Sequence, residues 1–270
     1  SQRSATDRQE ERPMPVVETD NNPLMPYQLP MPPDALPEIV VPDALAPDLI
    51  TALFAGGEPL QSFGPYRQQS DQLREIFVCT HGSRDVCCGQ TGYPIYEILR
   101  TMNPIQANIP IRAWRVSHNG GHKFAPTILD FPYGHHWGHF EIPALLPLVE
   151  RRGSVDTLLR FYRGWTGLDN KFLQMAERAV WQREGWAWLD YEKSGEILSL
   201  DEAGQWAEVR LDYRSPDGAR SGAYTARLEA SGRVQTLAKS GYGALEWVDQ
   251  YRVTRLERVD AIVPIAKLSH

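Results

Sequence analysis

The sequence predicts an α/β domain built on a mixed sheet, followed by a small antiparallel β module. Three observations carry this expectation. Between Leu73 and Glu184 the apolar spacing runs strand, helix, strand, hairpin and then helices, the order of an α/β or α+β domain. After about residue 190 a period-two alternation takes over, broken by the turn Ser215-Pro216-Asp217-Gly218. Ahead of both, residues 1–50 hold ten of the 21 prolines, and proline fixes φ and removes a backbone donor. The expected division is a proline-rich extended arm over 1–47, the α/β domain over 48–190 and the β module over 191–270.

Taken in order, the arm offers Leu24, Met25, Tyr27 and Leu29 as apolar points that could strap it across the domain. Pro47 to Phe54 reads as a short helix stopped by Gly56-Gly57. Leu73 to Thr80 is an apolar run, expected as a buried strand, and a loop through Gly82 and Gly89 follows. Pro94 to Arg100 reads as a helix with proline in its first turn. Ile111 to Ser117 alternates as a second strand that ends at His118, and 126–131 with 136–140 form a hairpin around Pro132-Tyr133-Gly134. Helical spacing returns at 143–151, 155–163 and 170–184. In the β module, 205–213 and 222–229 alternate about the turn, with further strands expected at 235–237 and 247–259.

Composition narrows the function. A formal charge of −6 without a basic tract excludes a general nucleic-acid binder, because phosphate contacts need clustered Lys and Arg. No apolar run approaches the ~18 residues of a membrane span, and no signal-peptide core is visible. The three cysteines are odd in number and unevenly placed, which fits a reducing, cytoplasmic setting better than a disulfide framework.

All three cysteines lie between Cys79 and Cys88, and His118-Asn119-Gly120-Gly121-His122 follows thirty positions on. Soft ligands gathered this way point to a metal or redox group. Two glycines between the histidines disfavour a helix, so the pair belongs on a tight loop after a strand. Cys79 with Cys87 or Cys88 is too widely spaced for a zinc knuckle and contains no C-x-x-C. Arg84 and Asp85 are expected to bond the loop and tune the site, or to form a simple surface salt bridge, and His81 is expected as a loop residue near the ligands without ligating. His135, His136 and His139 read as polar surface residues, and Trp181, Trp186 and Trp188 as packing. No pair of carboxylates suits glycoside hydrolysis.

The segment Cys79-x-His81-Gly82-x-Arg84-Asp85-x-x-Cys88-Gly89, followed by His118-x-Gly120-Gly121-His122-Lys123-Phe124-Ala125-Pro126-Thr127, resembles the sucrase/ferredoxin-like family. That family is a branch of the thioredoxin-like ferredoxins. The resemblance runs from Glu75 to Gly138 and more weakly through Arg163 to Leu168. It implies a thioredoxin-like ferredoxin domain holding a [2Fe-2S] cluster on Cys79, Cys88, His118 and His122, with Cys88 preferred to Cys87 because Gly89 follows it. Two neutral imidazoles in place of two thiolates make the site less negative, so its potential should rise toward that of Rieske centres, roughly −150 to +300 mV against about −400 mV for plant-type ferredoxins. The free imidazole nitrogens titrate, so the potential should fall with pH by up to ~59 mV per unit for one coupled proton. The implied role is one-electron transfer between a reductase and an acceptor that are separate proteins. Two alternatives stay open: a Cys2His2 zinc site in a partner-binding protein, and a thiol enzyme using Cys87 or Cys88.

Overall fold

The computed structural model describes residues 38–68, 74–102, 111–239 and 242–259. Of the arm expected over 1–47, residues 1–37 lie outside the described residues. The description begins with β1 (Glu38–Ile39), which pairs with β2 (Arg67–Gln68) in a two-stranded sheet. Between them stand α1 (Ala46–Ala55) and α2 (Gly57–Gln61), separated by Gly56 at φ 64, so the glycine stop falls where expected.

The α/β domain is present as a five-stranded mixed sheet. Its strands are β3 (Arg74–Cys79), β4 (Ile111–Val116), β5 (Ile128–Phe131), β6 (His135–Trp137) and β7 (Tyr162–Trp165), in the order β4-β3-β5-β6-β7. β3 and β4 run parallel through α3 (Val86–Thr101); the other pairs are antiparallel. Alternation explains β3: Ile76 and Val78 are fully buried, while Glu75 and Phe77 between them are only partly covered. α4 (Leu145–Glu150) and α5 (Lys171–Glu184) complete the domain.

The antiparallel module is a meander of β8 (Glu192–Leu200), β9 (Trp206–Arg214), β10 (Ser221–Lys239) and β11 (Tyr242–Val259). α5 packs on both sheets, touching β7 and β9. One continuous core therefore runs from Trp137, Tyr162 and Trp181 across to Trp188, Tyr213 and Tyr224. Each such ring removes ~150–250 Å² from water, which makes this aromatic seam a major source of cohesion.

Besides β1, β2 and α2, which the sequence did not announce, and β10, which joins two expected strands, three further elements differ from expectation. α3 begins at Val86, eight residues before Pro94, which sits inside the helix. The helix expected over 155–163 is a 3₁₀ turn (Val155–Thr157) followed by β7. β8 was not anticipated; its polar sequence contains Gly195, where a Cβ would lie 2.8 Å from Leu173 and 2.9 Å from Leu168. That glycine is a packing device, and it masked the strand.

Buried charge ties the layers. Arg74 clamps Asp130 with Nε–Oδ1 at 2.8 Å and Nη2–Oδ2 at 2.6 Å, and its Nη1 donates to the carbonyls of Leu148 and Val149. Farther along, the Tyr162 hydroxyl bridges His135 Nδ1 at 2.9 Å and Glu177 Oε1 at 3.0 Å. Trp188 Nε1 donates to the same Glu177 oxygen, and Lys193 Nζ stands 3.8 Å from it.

Candidate metal centre

The centre forms where the parallel pair ends. The Cys79 amide donates to Thr127 O at 3.1 Å and the Thr80 amide to Val116 O at 3.2 Å, so the last residues of β3 and β4 are held side by side. Chain leaving β3 turns through 81–85 and enters α3 at Asp85. Asp85 is buried and caps the helix, its Oδ1 accepting the Cys87 amide at 3.1 Å. Cys88 is thus in the first helical turn, not in an open loop as expected from the glycines around it.

Those glycines have a different job. A Cβ on Gly89 would meet Gly82 Cα at 2.9 Å, and one on Gly92 would meet the Cys79 carbonyl at 2.1 Å. They let the loop and the helix close on the end of β3, which brings Cys88 onto Cys79. Gly120 and Gly121, at φ 90 and 61, reverse the chain after His118. The returning loop is pinned by Thr127 Oγ1 to Asn119 Oδ1 at 2.9 Å, and His118 is fixed by its amide donating to His81 Nδ1 at 3.2 Å.

The result is a cluster: the sulfurs of Cys79 and Cys88 and one ring nitrogen of His118 all lie within 4.8 Å of one another. Both cysteines are fully buried, and all three thiols of the chain are free of disulfides. Burial pushes the Cys88 thiol up to about 12, and the Cys79 sulfur beside it adds to the rise. Two adjacent buried thiolates need a cation to stand. The donor set is soft, desolvated and short of positive charge, which fits a thiophilic metal or an iron–sulfur group.

The sequence expectations separate here. Cys79, Cys88 and His118 come together. The His122 backbone opens a 3₁₀ turn (His122–Phe124), and its side chain lies outside the described residues. The Cys87 thiol donates to Asp85 Oδ1 at 3.1 Å and is not in the cluster. His135 is not a surface residue: it is fully buried between Tyr162 and the Leu189 carbonyl. His136 lies on β6, where burial and then Arg163 hold its pKa down at about 4, while His139 is exposed at φ 52. Sequence reasoning missed the Gly82–Gly89 contact and the bond from His118 to His81. The signal available was the Asp85 cap standing three residues ahead of Cys88.

Comparison with known families matches residues 16–164 to the sucrase/ferredoxin-like family. The chain belongs to the sucrase/ferredoxin-like family. The match begins upstream of the motif and takes in much of the proline-rich arm, a wider span than the Glu75–Gly138 core of the resemblance. This sucrase/ferredoxin-like chain is also similar to altered inheritance of mitochondria protein 32 of Candida glabrata, 43% identical over 58 residues. That stretch is 21% of this chain and 17% of the yeast protein's length. No solved structure matches. Among the described residues, no helix is long and apolar enough to cross a membrane.

Proposed function

We propose that this protein carries single electrons on a [2Fe-2S] cluster held by Cys79, Cys88, His118 and His122. The observation that supports it is the buried convergence of two sulfurs and a histidine nitrogen within 4.8 Å, inside a family whose name is ferredoxin-like. When bound, the cluster supplies one-electron redox chemistry. The chain's own residues do the rest. α3 aims its N-terminal dipole at the group, favouring negative charge there. Asp85 keeps Cys87 out of the ligand set, His81 orients the His118 loop, and the packed glycines exclude water from the sulfurs. The electron donor and acceptor are separate proteins in the cytoplasm, and the proline-rich arm and the β module serve docking or stability.

One observation favours a second reading, a structural zinc site. A tetrahedral zinc with Zn–S near 2.3 Å places its ligand atoms about 3.8 Å apart. A cluster of three donors within 4.8 Å is compatible with one ion, whereas a two-iron group holds its ligand pairs on separate metals. Iron, sulfide and zinc content of protein purified without oxygen decides, with visible absorption and EPR after reduction. About two irons and two sulfides in a coloured protein with a low average g value are expected. One zinc and no colour, after expression with ample iron, would overturn the electron-carrier reading.

A further inference from the structure

The ligand-bearing stretch differs in charge from the rest of the molecule. Cys79 to Phe124 contains five Lys and Arg against two Asp and Glu, a formal +3 in a chain of −6, so the remaining residues carry −9. One of the two carboxylates, Asp85, is buried and bonded to Cys87, and the other, Glu97, is paired with Arg100. Arg112 is bridged to Glu38 and Glu75, so the exposed cations outside these pairs are Arg84 and Arg115.

Its geometry is specific. Arg115 leaves β4 on the α3 side, with Thr80 Oγ1 at 3.5 Å and the Tyr93 ring at 5.2 Å, and its charge also reaches the Glu97 carboxylate. Val86 and Tyr93 are seven residues apart on α3, so they share one helical face, and they are 51% and 44% exposed. Arg84, also exposed, stands just ahead of this face in the turn that feeds the helix. Between Arg115 and the end of β3 an open recess is lined by Thr80, His81 and Ser117, of which Thr80 adjoins Cys79 and Ser117 adjoins His118 in the chain. Two exposed apolar side chains flanked by two arginines, beside a buried redox-type cluster, form the apolar centre and charged rim of a transient protein interface.

We propose that the surface formed by Arg84, Val86, Tyr93 and Arg115 docks an acidic protein, a redox partner that presents carboxylates around its own centre. This rests on the electron-carrier reading for the partner's role, while the charge recognition itself requires no metal. Complementary charge accelerates and orients encounter, and salt weakens it.

The test uses the full chain and fluorescence anisotropy with a labelled oligoglutamate peptide, run alongside an oligonucleotide of equal charge. The wild type should bind the peptide, and raising salt from low to physiological should weaken binding. Arg84→Glu with Arg115→Glu should lower affinity on the order of tenfold or more. Arg214→Glu with Arg220→Glu, the same charge change at the exposed β9–β10 turn, should leave it unaltered. Equal loss in Arg214→Glu with Arg220→Glu, no loss in Arg84→Glu with Arg115→Glu, or tighter binding of the oligonucleotide would overturn the proposal. A second arm uses metal-loaded, reduced protein and compares oxidation by anionic ferricyanide and cationic tris(phenanthroline)cobalt(III). Arg84→Glu with Arg115→Glu should slow the first and speed the second at unchanged metal content; identical effects on both would overturn it. A colourless, iron-free preparation would defeat the electron-carrier reading and leave the anisotropy result to decide the surface on its own.

Discussion

Adjacent cysteines have opposite fates in this site. The Cys87 thiol is spent on Asp85, and Cys88 faces Cys79. Cys88→Ala should lose bound metal while Cys87→Ala keeps it; metal analysis of the two purified variants checks the assignment, and a reversed pattern would sink it. Acid should oppose binding, because Cys88 must shed a proton that burial and Cys79 hold up to about 12. Affinity for added Zn²⁺ should then fall about tenfold per pH unit between pH 8 and 6 on account of this thiol, with proton release visible by calorimetry in buffers of different ionisation enthalpy. The ligand types were legible in the sequence because softness and spacing are chemical. The glycines were not, because their meaning is a distance. Gly92→Ala places a carbon 2.1 Å from the Cys79 carbonyl, so it should cost roughly 1–3 kcal/mol in urea denaturation and weaken metal retention together.

At the scale of elements, β3, the hairpin β5–β6 and α5 were readable because each buries a periodic face. The start of α3 was hidden by Gly89, Gly92 and Pro94, three residues that read as helix breakers while the Asp85 cap and tertiary contact with β3 override them. The stretch 155–163 misled for the opposite reason: its apolar side chains Val155, Leu158, Leu159 and Phe161 are buried along irregular turns leading to β7, which mimics helical spacing. The sheet's own anchor is Arg74 against Asp130. Burial alone would raise the Asp130 carboxyl, but the Arg74 guanidinium holds it below its ordinary value of 3.8. A lowered carboxylate contributes stability that is present above its unfolded pKa and lost as pH falls through the folded value, so this pair should fail only in strong acid. Arg74→Met leaves a buried carboxylate without its partner and should cost about 3–5 kcal/mol; equilibrium unfolding at neutral pH measures it.

For the whole molecule, the expectation of two separable modules at 190 meets a core that crosses that boundary. Trp181 on α5 and Trp188 beyond it belong to the same buried cluster as Tyr213 and Tyr224. Calorimetry of the full chain should give one cooperative transition, and a fragment ending at 190 should expose the aromatic seam and aggregate. Two independent transitions would show the modules to be autonomous. Sequence periodicity gives the faces of elements and not which faces meet, so this continuity was invisible until the sheets were placed on α5.

The His135–Tyr162–Glu177 chain has a consequence in proton number. The Leu189 carbonyl can only accept, so His135 Nε2 must carry a hydrogen. The Tyr162 hydroxyl has one hydrogen for two contacts, toward His135 Nδ1 and toward Glu177 Oε1. The second contact therefore needs one more hydrogen, on the imidazole or on the carboxyl. Burial lowers His135 well below 6.5 and raises Glu177 above 4.5, while Lys193 Nζ, 3.8 Å from that carboxyl, draws it back down. The interior of this acidic protein thus holds an imidazole against protonation and shares one carboxyl among Tyr162, Trp188 and Lys193. Unfolded histidine takes up a proton below about 6.5 that the folded imidazole resists, so the interior loses stability as pH falls through that value.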